Sequence, residues 1–349
     1  MSTLNSSTEN SNSPSDTRSH VSQRQSGVLL VSILIVALCG IVYELIIGAV
    51  SSYLLGNSVY QFSLTIGFFM FAMGLGSLMS KYFDENYVRN FIMIEIAIAL
   101  IGGVCSILLF MTFPFARALY EFVMYTLILL IGALVGMEIP ILTTILAAKE
   151  NMRDSIANVL SLDYLGALIG SVAFPLILLP SLGLVRSSFA IGLINILVAL
   201  LNVFIFKEQL KQYKAMLATC LAVLLLLVTC IAYGSYLTGF AEKHLYFDQV
   251  IYSQQTPYQK LVVTRSTTSR EQRLYIDGHI QFSSRDEYRY HEYLVHPLMS
   301  MPGDKAKVLV LGGGDGLATR ELLKYDEVER IDVVDIDPEM TRIASELPM

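Results

Sequence analysis

Charged residues and cysteines are scarce in this sequence. Only 15% of its 349 residues are Asp, Glu, Lys or Arg, against about 25% in an ordinary soluble domain. The formal net charge of −6 lacks the basic excess of nucleic-acid-binding proteins, so no nucleic-acid partner is expected. The four cysteines stand singly in apolar runs without a Cys-x-x-Cys pair. This pattern disfavours a disulfide framework and a metal site, and favours buried thiols.

The shortage of charge is confined to residues 27–240, whereas residues 241–349 have the composition of a soluble domain. Residues 1–26 are rich in Ser, Asn and Thr and are predicted to be a disordered tail. A transmembrane helix needs about 20 mostly apolar residues. Residues 27–240 are therefore predicted to be a transmembrane domain of about seven helices. The predicted spans are 27–50, 62–80, 91–113, 121–148, 157–180, 187–206 and 215–238.

Small residues recur inside these spans, notably in 67–77 and 166–170. Small side chains let membrane helices approach closely, so a packed bundle is predicted. Within the fourth span, Glu138-Ile-Pro140 is predicted to break the helix, since proline lacks the backbone N–H.

Acidic residues within the spans are candidates for an intramembrane polar site, because ionisable groups at membrane depth are costly and usually functional. The sequence shows no Lys or Arg deep in a span to pair with them. They could form a cation-binding or proton-relay site, or they could be protonated packing groups near the span ends. The four residues are Glu44, Glu95, Glu138 and Asp163.

The distribution of basic residues conflicts with the expected location of the soluble domain. Lys and Arg concentrate in the tail and in alternate loops, around residues 81–89, 149–153 and 207–214. The positive-inside rule therefore places the N-terminus in the cytoplasm, and seven spans would place the C-terminal domain outside. A nucleotide-type ligand suggests the cytoplasm instead. The sequence predicts a multi-pass cell-membrane protein and leaves the side of this domain open.

The C-terminal region reads as short strands followed by an α/β unit. Residues 259–265 and 273–276 are predicted strands, and Asp277-Gly278 is a hairpin signal before the strand 279–282. Residues 286–300 are predicted to form a polar-aromatic helix. Asp337-Pro338 predicts a further helix, with Asp337 as its N-cap and the proline in its first turn.

A glycine turn carries the strongest functional signal. Residues 307–311 form a predicted strand that runs into Gly312-Gly-Gly-Asp-Gly316, a helix pattern follows, and the next strand ends at Asp335. Nucleotide-binding α/β folds bind their ligands at this turn and at the acidic tip of the second strand. Asp335 can accept both hydroxyls of a ribose. The charge of Asp315 would repel a phosphate, which favours a cationic S-adenosyl compound over the alternative, NAD.

The same region resembles the spermidine synthase (polyamine aminopropyltransferase) family. The resemblance lies in residues 256–260, in 274–278 with Gln281, in 286–292, and in 312–316 with Asp335. The whole chain is similar to the membrane-fused bacterial branch, through residues 43–48 and 163–168.

The resemblance implies a role for each candidate residue. Gln259, Asp335 and the glycines of the turn would bind the S-adenosyl part of decarboxylated S-adenosylmethionine, the co-substrate; the glycines are Gly312, Gly313 and Gly314. His291, Tyr290 and Asp315 would bind the amine. Putrescine or a similar amine is the expected partner, no cofactor is expected to be tightly bound, and a homodimer is one expected assembly.

The resemblance also implies the domain organisation. Residues 245–302 would be the N-terminal β subdomain, and residues 303–349 the start of a Rossmann-like domain of the S-adenosylmethionine-dependent methyltransferase type. The catalytic aspartate of the family would lie beyond Met349, so the printed chain is expected to lack the catalytic base. The predicted function is a membrane-embedded transferase of spermidine biosynthesis. The alternatives are a polyamine or cation transporter or sensor with a fused ligand-binding domain, and an inactive truncated product.

Overall fold

The computed structural model describes residues 22–83, 86–148 and 151–346. Within these ranges, eight α-helices precede the first strand. They are α1 Gln23–Leu55, α2 Ser58–Met79, α3 Tyr87–Phe115, α4 Arg117–Ala147, α5 Met152–Ala173, α6 Leu179–Ile205, α7 Tyr213–Ala232 and α8 Gly234–Leu245. The remaining elements are β1 Gln249–Gln255, β2 Lys260–Arg265, β3 Gln272–Ile276, β4 His279–Ser283, α9 Glu287–Met299, β5 Lys307–Leu311, α10 Leu317–Leu322, β6 Arg330–Val334 and α11 Pro338–Glu346.

The first helix begins earlier than the predicted start at residue 27. Ser22 caps α1, because its hydroxyl accepts a hydrogen bond from the Gln25 N–H at 3.2 Å, and the Gln25 side chain accepts one from the Ser22 N–H at 2.8 Å. This reciprocal capping box satisfies two N-terminal amides and extends the helix into the polar segment. The predicted tail is therefore too long at its C-terminal end, and its residues 1–21 lie outside the described chain.

Close helix contacts occur at the small-residue segments, as predicted. A Cβ atom added at Gly76 of α2 would lie 1.9 Å from the carbonyl oxygen of Ala133 in α4. One added at Gly166 of α5 would lie 2.2 Å from the carbonyl oxygen of Leu34 in α1. No larger residue fits at either contact, so these glycines set the distances between the helices.

The long stretch from α5 to α6 is a helical hairpin. Successive α5 residues, Gly166 and then Gly170, lie against Leu34 and then Leu38 of α1, so these two helices run parallel. The α6 helix runs antiparallel to α1, since Asn202 donates to Ser32 at 2.9 Å whereas the Ile191 carbonyl lies beside Cys39. The reversal follows a π-helical turn and occurs at Gly183, whose φ is +70°.

By length and apolar composition, six helical stretches among the described residues could cross a membrane. The longest, Met152–Ile205, has 54 residues and includes the hairpin, so it contains two antiparallel helices. Each of the seven predicted apolar segments therefore overlaps one long helix, but the seventh, 215–238, was predicted too long, because α7 ends at Ala232 and the segment runs into α8. Their insertion into a membrane stays a prediction.

The predicted helix break at Pro140 is wrong. Helix α4 continues through Pro140 to Ala147. The hydroxyls of Thr143 and Thr144 donate to the carbonyl oxygens of Ile139 and Pro140 at 2.7 and 2.8 Å. Pro140 leaves the Gly136 carbonyl without its helical N–H partner, and packing against α2 and α3 keeps the helix continuous.

The C-terminal half begins with a four-stranded antiparallel meander in the order β1-β2-β3-β4. The predicted hairpin is present: Asp277 and Gly278 connect β3 to β4, both with positive φ. One face of the sheet packs on the following α/β unit, where Leu261, Val263 and Leu274 meet Leu317 and Met340.

The predicted strand–turn–helix–strand unit is also present. β5 and β6 pair in parallel, with Lys307 opposite Arg330 and Leu311 opposite Val334, and α10 connects them. α9 packs on α10 through Val295, Met299 and Leu322. This arrangement places the glycine turn and the end of β6 at the same edge of the strand pair, as parallel pairing requires.

The helical domain and the meander meet at the C-terminal end of α1. The hydroxyls of Tyr53 and Tyr246 are hydrogen-bonded at 2.5 Å. The hairpin turn packs directly on this end of the helix, because a Cβ atom added at Gly278 would lie 2.5 Å from the Tyr53 carbonyl oxygen. The N-terminal end of α1 and the α6–α7 loop, which carries Lys211, lie at the far end of the bundle.

Gly278→Ala is expected to weaken this junction. Its φ of +82° disfavours a side chain, and the added methyl group would collide with the Tyr53 backbone. We expect a loss of about 1–3 kcal/mol in unfolding free energy, measured by thermal or denaturant unfolding. Gly239→Ala is the matched control, since nothing lies within 4 Å of its added Cβ atom. Equal stability of both variants would contradict the tight junction.

Candidate functional site

A cavity of about 510 Å³ lies at the glycine turn. The turn and the end of β6 form one wall, and the meander contributes the opposite wall. The lining residues are Gln259, Ile276, Gln281, Gly312, Gly313, Gly314, Asp315, Val334, Asp335, Ile336 and Met340. The structure therefore brings together the residues predicted to bind the S-adenosyl group and Asp315, although they come from distant parts of the sequence.

Asp335 is held in place by the backbone of the site. Its Oδ2 accepts a hydrogen bond from the Gly314 N–H at 2.7 Å, and its Oδ1 accepts one from the Asp337 N–H at 2.9 Å. Each carboxylate oxygen retains a second lone pair. Asp335 can thus accept further hydrogen bonds from a ligand that carries neighbouring hydroxyls.

Asp315 combines a structural and an electrostatic role. Its Oδ1 accepts a hydrogen bond from the Leu317 N–H at 3.0 Å at the start of α10. The residue is half-buried and lines the cavity. The cavity contains two carboxylates. Its lining, within the described part of the chain, includes no Lys, Arg or His. This electrostatic character favours a cationic ligand over a phosphate.

Gln259 connects the meander to the α/β unit through Asp337. The Gln259 amide donates to Oδ2 of Asp337 at 3.0 Å, and the Thr256 hydroxyl donates to the same oxygen at 2.9 Å. Oδ1 of Asp337 accepts the Glu339 N–H at 3.1 Å, which confirms the predicted N-cap. The sequence showed no sign that this cap also orients Gln259, because the partners lie 78 residues apart.

Asp337→Asn is expected to destabilise the C-terminal half and release Gln259. Asp337 is 1% exposed, and an amide –NH₂ in place of Oδ2 would face two donors. Leaving a buried donor without an acceptor costs about 1–3 kcal/mol. Thermal unfolding measures the loss, and Asp304→Asn at an exposed position is the control. Unchanged stability would show that this bridge contributes nothing.

His291 and Tyr290 are placed differently from the glycine-turn residues. His291 is 5% exposed, and its Nδ1 is hydrogen-bonded to the Glu287 carboxylate at 2.8 Å. Glu287 also binds the guanidinium of Arg320 on α10 at 2.9 Å. Tyr290 is 63% exposed with its ring edge-on to His291. Neither residue lines the cavity, and their role in amine binding stays a prediction.

A second cavity, of about 820 Å³, lies between the helical domain and the meander. Gln259 and Ile276 line both cavities and separate them. The second cavity also contains Asp277, whose carboxylate accepts the Lys260 N–H at 2.8 Å. Burial raises the pKa of Asp277, while the Lys260 hydrogen bond and nearby His279 oppose that shift.

Glu292, His296 and Glu321 present ligand atoms within 4.8 Å of one another. The Glu321 carboxylate already pairs with Arg320 at 3.0 Å and with Lys324. Two cations therefore neutralise the buried carboxylate of this group, which favours an ion-pair network over a metal centre.

The four acids of the helical domain differ in their surroundings. Glu95 and Glu138 are buried and interact directly with each other, and Asp163 lies within electrostatic range of Glu138. Glu44 is buried elsewhere on α1, with no charged group acting on it. The predicted four-residue site and its function stay a prediction.

Comparison with known proteins agrees with this geometry. A family model described as "Spermine/spermidine synthase domain" matches residues 287–346. A polyamine aminopropyltransferase of Leptospira interrogans is 45% identical over 91% of this chain and 63% of its own length. Polyamine aminopropyltransferase 2 of Ralstonia nicotianae is 44% identical over 92% of this chain and 64% of its own.

The chain is thus similar to polyamine aminopropyltransferases over most of its length, and its C-terminal residues 287–346 match the spermine/spermidine synthase domain. The similarity extends through the helical domain, since 318 aligned residues cannot be contained in the C-terminal half. The chain spans less than two thirds of the length of these curated relatives. The crystal structure of spermidine synthase from Thermotoga maritima is 33% identical over 29% of this chain and 35% of its own, with a TM-score of 0.28.

Proposed function

We propose that the full-length gene product containing this chain transfers the aminopropyl group of decarboxylated S-adenosylmethionine to an amine, with putrescine as the first candidate. The observation that carries this proposal is the glycine-turn cavity, which joins two carboxylates and two glutamine side chains without a basic residue among its described lining. Such a cavity suits a sulfonium nucleoside and an ammonium group. The names of the curated relatives support the same activity.

The residues of this chain fit the binding part of that reaction. In the transfer, the amine nitrogen forms a bond to the carbon beside the sulfonium, the carbon–sulfur bond breaks, and its electron pair leaves with a neutral thioether. The amine must give up a proton to a base. Asp335 would bind the ribose hydroxyls, Gln259 would contact the nucleoside, and Asp315 would hold the amine end of the substrates.

A product assay tests the proposal. The full-length gene product is incubated with decarboxylated S-adenosylmethionine and a panel of diamines and triamines. We expect methylthioadenosine and one elongated amine to form in equal amounts. Failure to form methylthioadenosine with every amine, from a protein that is folded, would refute the transferase assignment.

The buried acids of the helical domain favour a second candidate, in which this domain transports or senses a cationic amine. Amine uptake into vesicles that contain the full-length gene product measures this activity directly. Uptake without product formation would favour this alternative over the transferase.

We propose further that the helical domain crosses the membrane and that the C-terminal half lies at the end opposite its basic loops. The contacts of α1 support this arrangement: its C-terminal end meets the meander, and its N-terminal end meets the end of α6. Lys211 in the α6–α7 loop and Arg270 in the β2–β3 turn are both exposed and lie at opposite ends.

Lys211→Cys and Arg270→Cys are expected to react with a membrane-impermeant thiol reagent from opposite sides of sealed vesicles. Little reaction of the reagent with the native cysteines is expected, since three of the four are buried. The cysteine that reacts from the cytoplasmic side identifies the compartment of the C-terminal half. Reaction of both from the same side would contradict an odd number of crossings.

A further inference from the structure

Two carboxyl groups meet inside the helical domain without a counter-charge. Glu95 of α3 is 0% exposed and Glu138 of α4 is 4% exposed. Their side chains are close enough to interact with each other directly. Neither takes part in an ion pair of the described chain, in contrast to the acids of the C-terminal half.

The oxygens of this carboxyl pair are incompletely hydrogen-bonded. Both oxygens of Glu95 and Oε1 of Glu138 lack hydrogen-bond partners among the described residues. Asn195 of α6 lies against the Glu95 side chain and donates to the Glu95 carbonyl oxygen at 3.1 Å, and its own Oδ1 is buried and without a donor. Buried polar atoms in native proteins rarely remain unpaired, so a donor is missing at this site.

The other ionisable groups around the pair carry no positive charge. Helix α1 contributes Cys39 and Tyr43, whose hydroxyl is also unpartnered, α3 contributes Cys105 near Tyr43, and α5 contributes Asp163, which acts electrostatically on Glu138. No ionisable side chain from the described parts of α2, α6 or α7 acts on the pair. The counter-charge must therefore come from outside these side chains.

Two ionised carboxylates in contact cannot persist in apolar surroundings without compensation, because each loses hydration and repels the other. We propose that Glu95 and Glu138 share one exchangeable proton, which reaches them through Asp163. The proton supplies the missing donor for the pair. Asp163 is half-buried, so it is the most exposed of the three carboxyls and the natural point of entry.

Proton binding at this site is linked to helix packing, since the two carboxyls come from neighbouring helices that pack along their length. Removal of the proton leaves two negative charges between α3 and α4. We therefore expect the helical domain to lose stability as the pair ionises. This inference concerns the helical domain alone and holds whether or not the C-terminal half is a transferase.

Infrared difference spectroscopy of the full-length gene product in lipid vesicles tests the proposal. The carbonyl stretch of a protonated carboxyl group is expected near neutral pH, is expected to shift on transfer to D₂O, and is expected to disappear at high pH together with a fall in Tm. This measurement requires only the wild-type protein. A band that neither exchanges nor responds to pH would mean permanently protonated packing groups and would overturn the proposal.

Substitutions assign the band. Glu95→Gln and Glu138→Gln are each expected to shift the frequency of the band and the pH at which it disappears, because the second carboxyl of the shared proton is lost. Glu44→Gln is the control and should change neither, since no charged group acts on Glu44. Asp163→Asn is expected to keep the band and to slow its exchange by about tenfold or more. Absence of the band at every pH in the folded wild-type protein would indicate two ionised carboxylates held by a metal cation, and would equally overturn a shared proton.

Discussion

Gly314→Ala is expected to lower kcat/KM for the nucleoside co-substrate by about a hundredfold, because small displacements of a positioned group have effects of that size. The new methyl group would lie 2.7 Å from Oδ2 of Asp335 and 2.9 Å from its Cγ. The carboxylate must therefore move away from the position that the Gly314 N–H now holds. The backbone of Gly314 does not require a glycine, since its φ is not positive, so the effect comes from the contact itself.

The readout separates this effect from unfolding. KM for the nucleoside is expected to rise while KM for the amine changes little, and thermal unfolding should show a folded protein. Gly239→Ala on α8 is the matched control, because its added methyl group touches nothing. Wild-type kcat/KM in a folded Gly314→Ala protein would refute the role of Asp335 in nucleoside binding.

Asp315→Asn is expected to reduce turnover by roughly a hundredfold with little loss of stability. Asparagine keeps an oxygen that can accept the Leu317 N–H, so the start of α10 is preserved. What is lost is the negative charge directed at the cavity, and removal of one preorganised electrostatic group from a site typically costs about 10²–10³ in rate. The measurement is kcat and KM for the amine with the full-length gene product.

The matched control for this substitution is Asp326→Asn, a change of the same chemistry at an exposed position before β6. It is expected to leave both kinetic constants unchanged. If Asp315→Asn retains the wild-type rate, Asp315 does not hold the amine. Asp335 would then be the one remaining carboxylate of the described cavity lining that could do so.

Local patterns predicted the elements of the C-terminal half well. The β-branched content of residues 259–265, the Asp277-Gly278 turn and the N-cap at Asp337 depend on neighbours in the sequence, and each is confirmed. The break predicted at Pro140 is wrong, because the continuity of α4 depends on residues that are distant in the sequence. Packing from α2 and α3, which no local pattern shows, keeps α4 continuous.

By itself, the sequence determined the apolar helices, the glycine turn with Asp315 and Asp335, and the family resemblance, since each depends on residue types at short spacing. Tertiary structure decided which distant groups meet. The bond from Gln259 to Asp337, the joining of Glu95 to Glu138 without Glu44, and the separation of His291 from the cavity depend on how elements pack. Such contacts are set by the burial of apolar faces across the whole chain, and they cannot be predicted from the spacing of residues in the sequence.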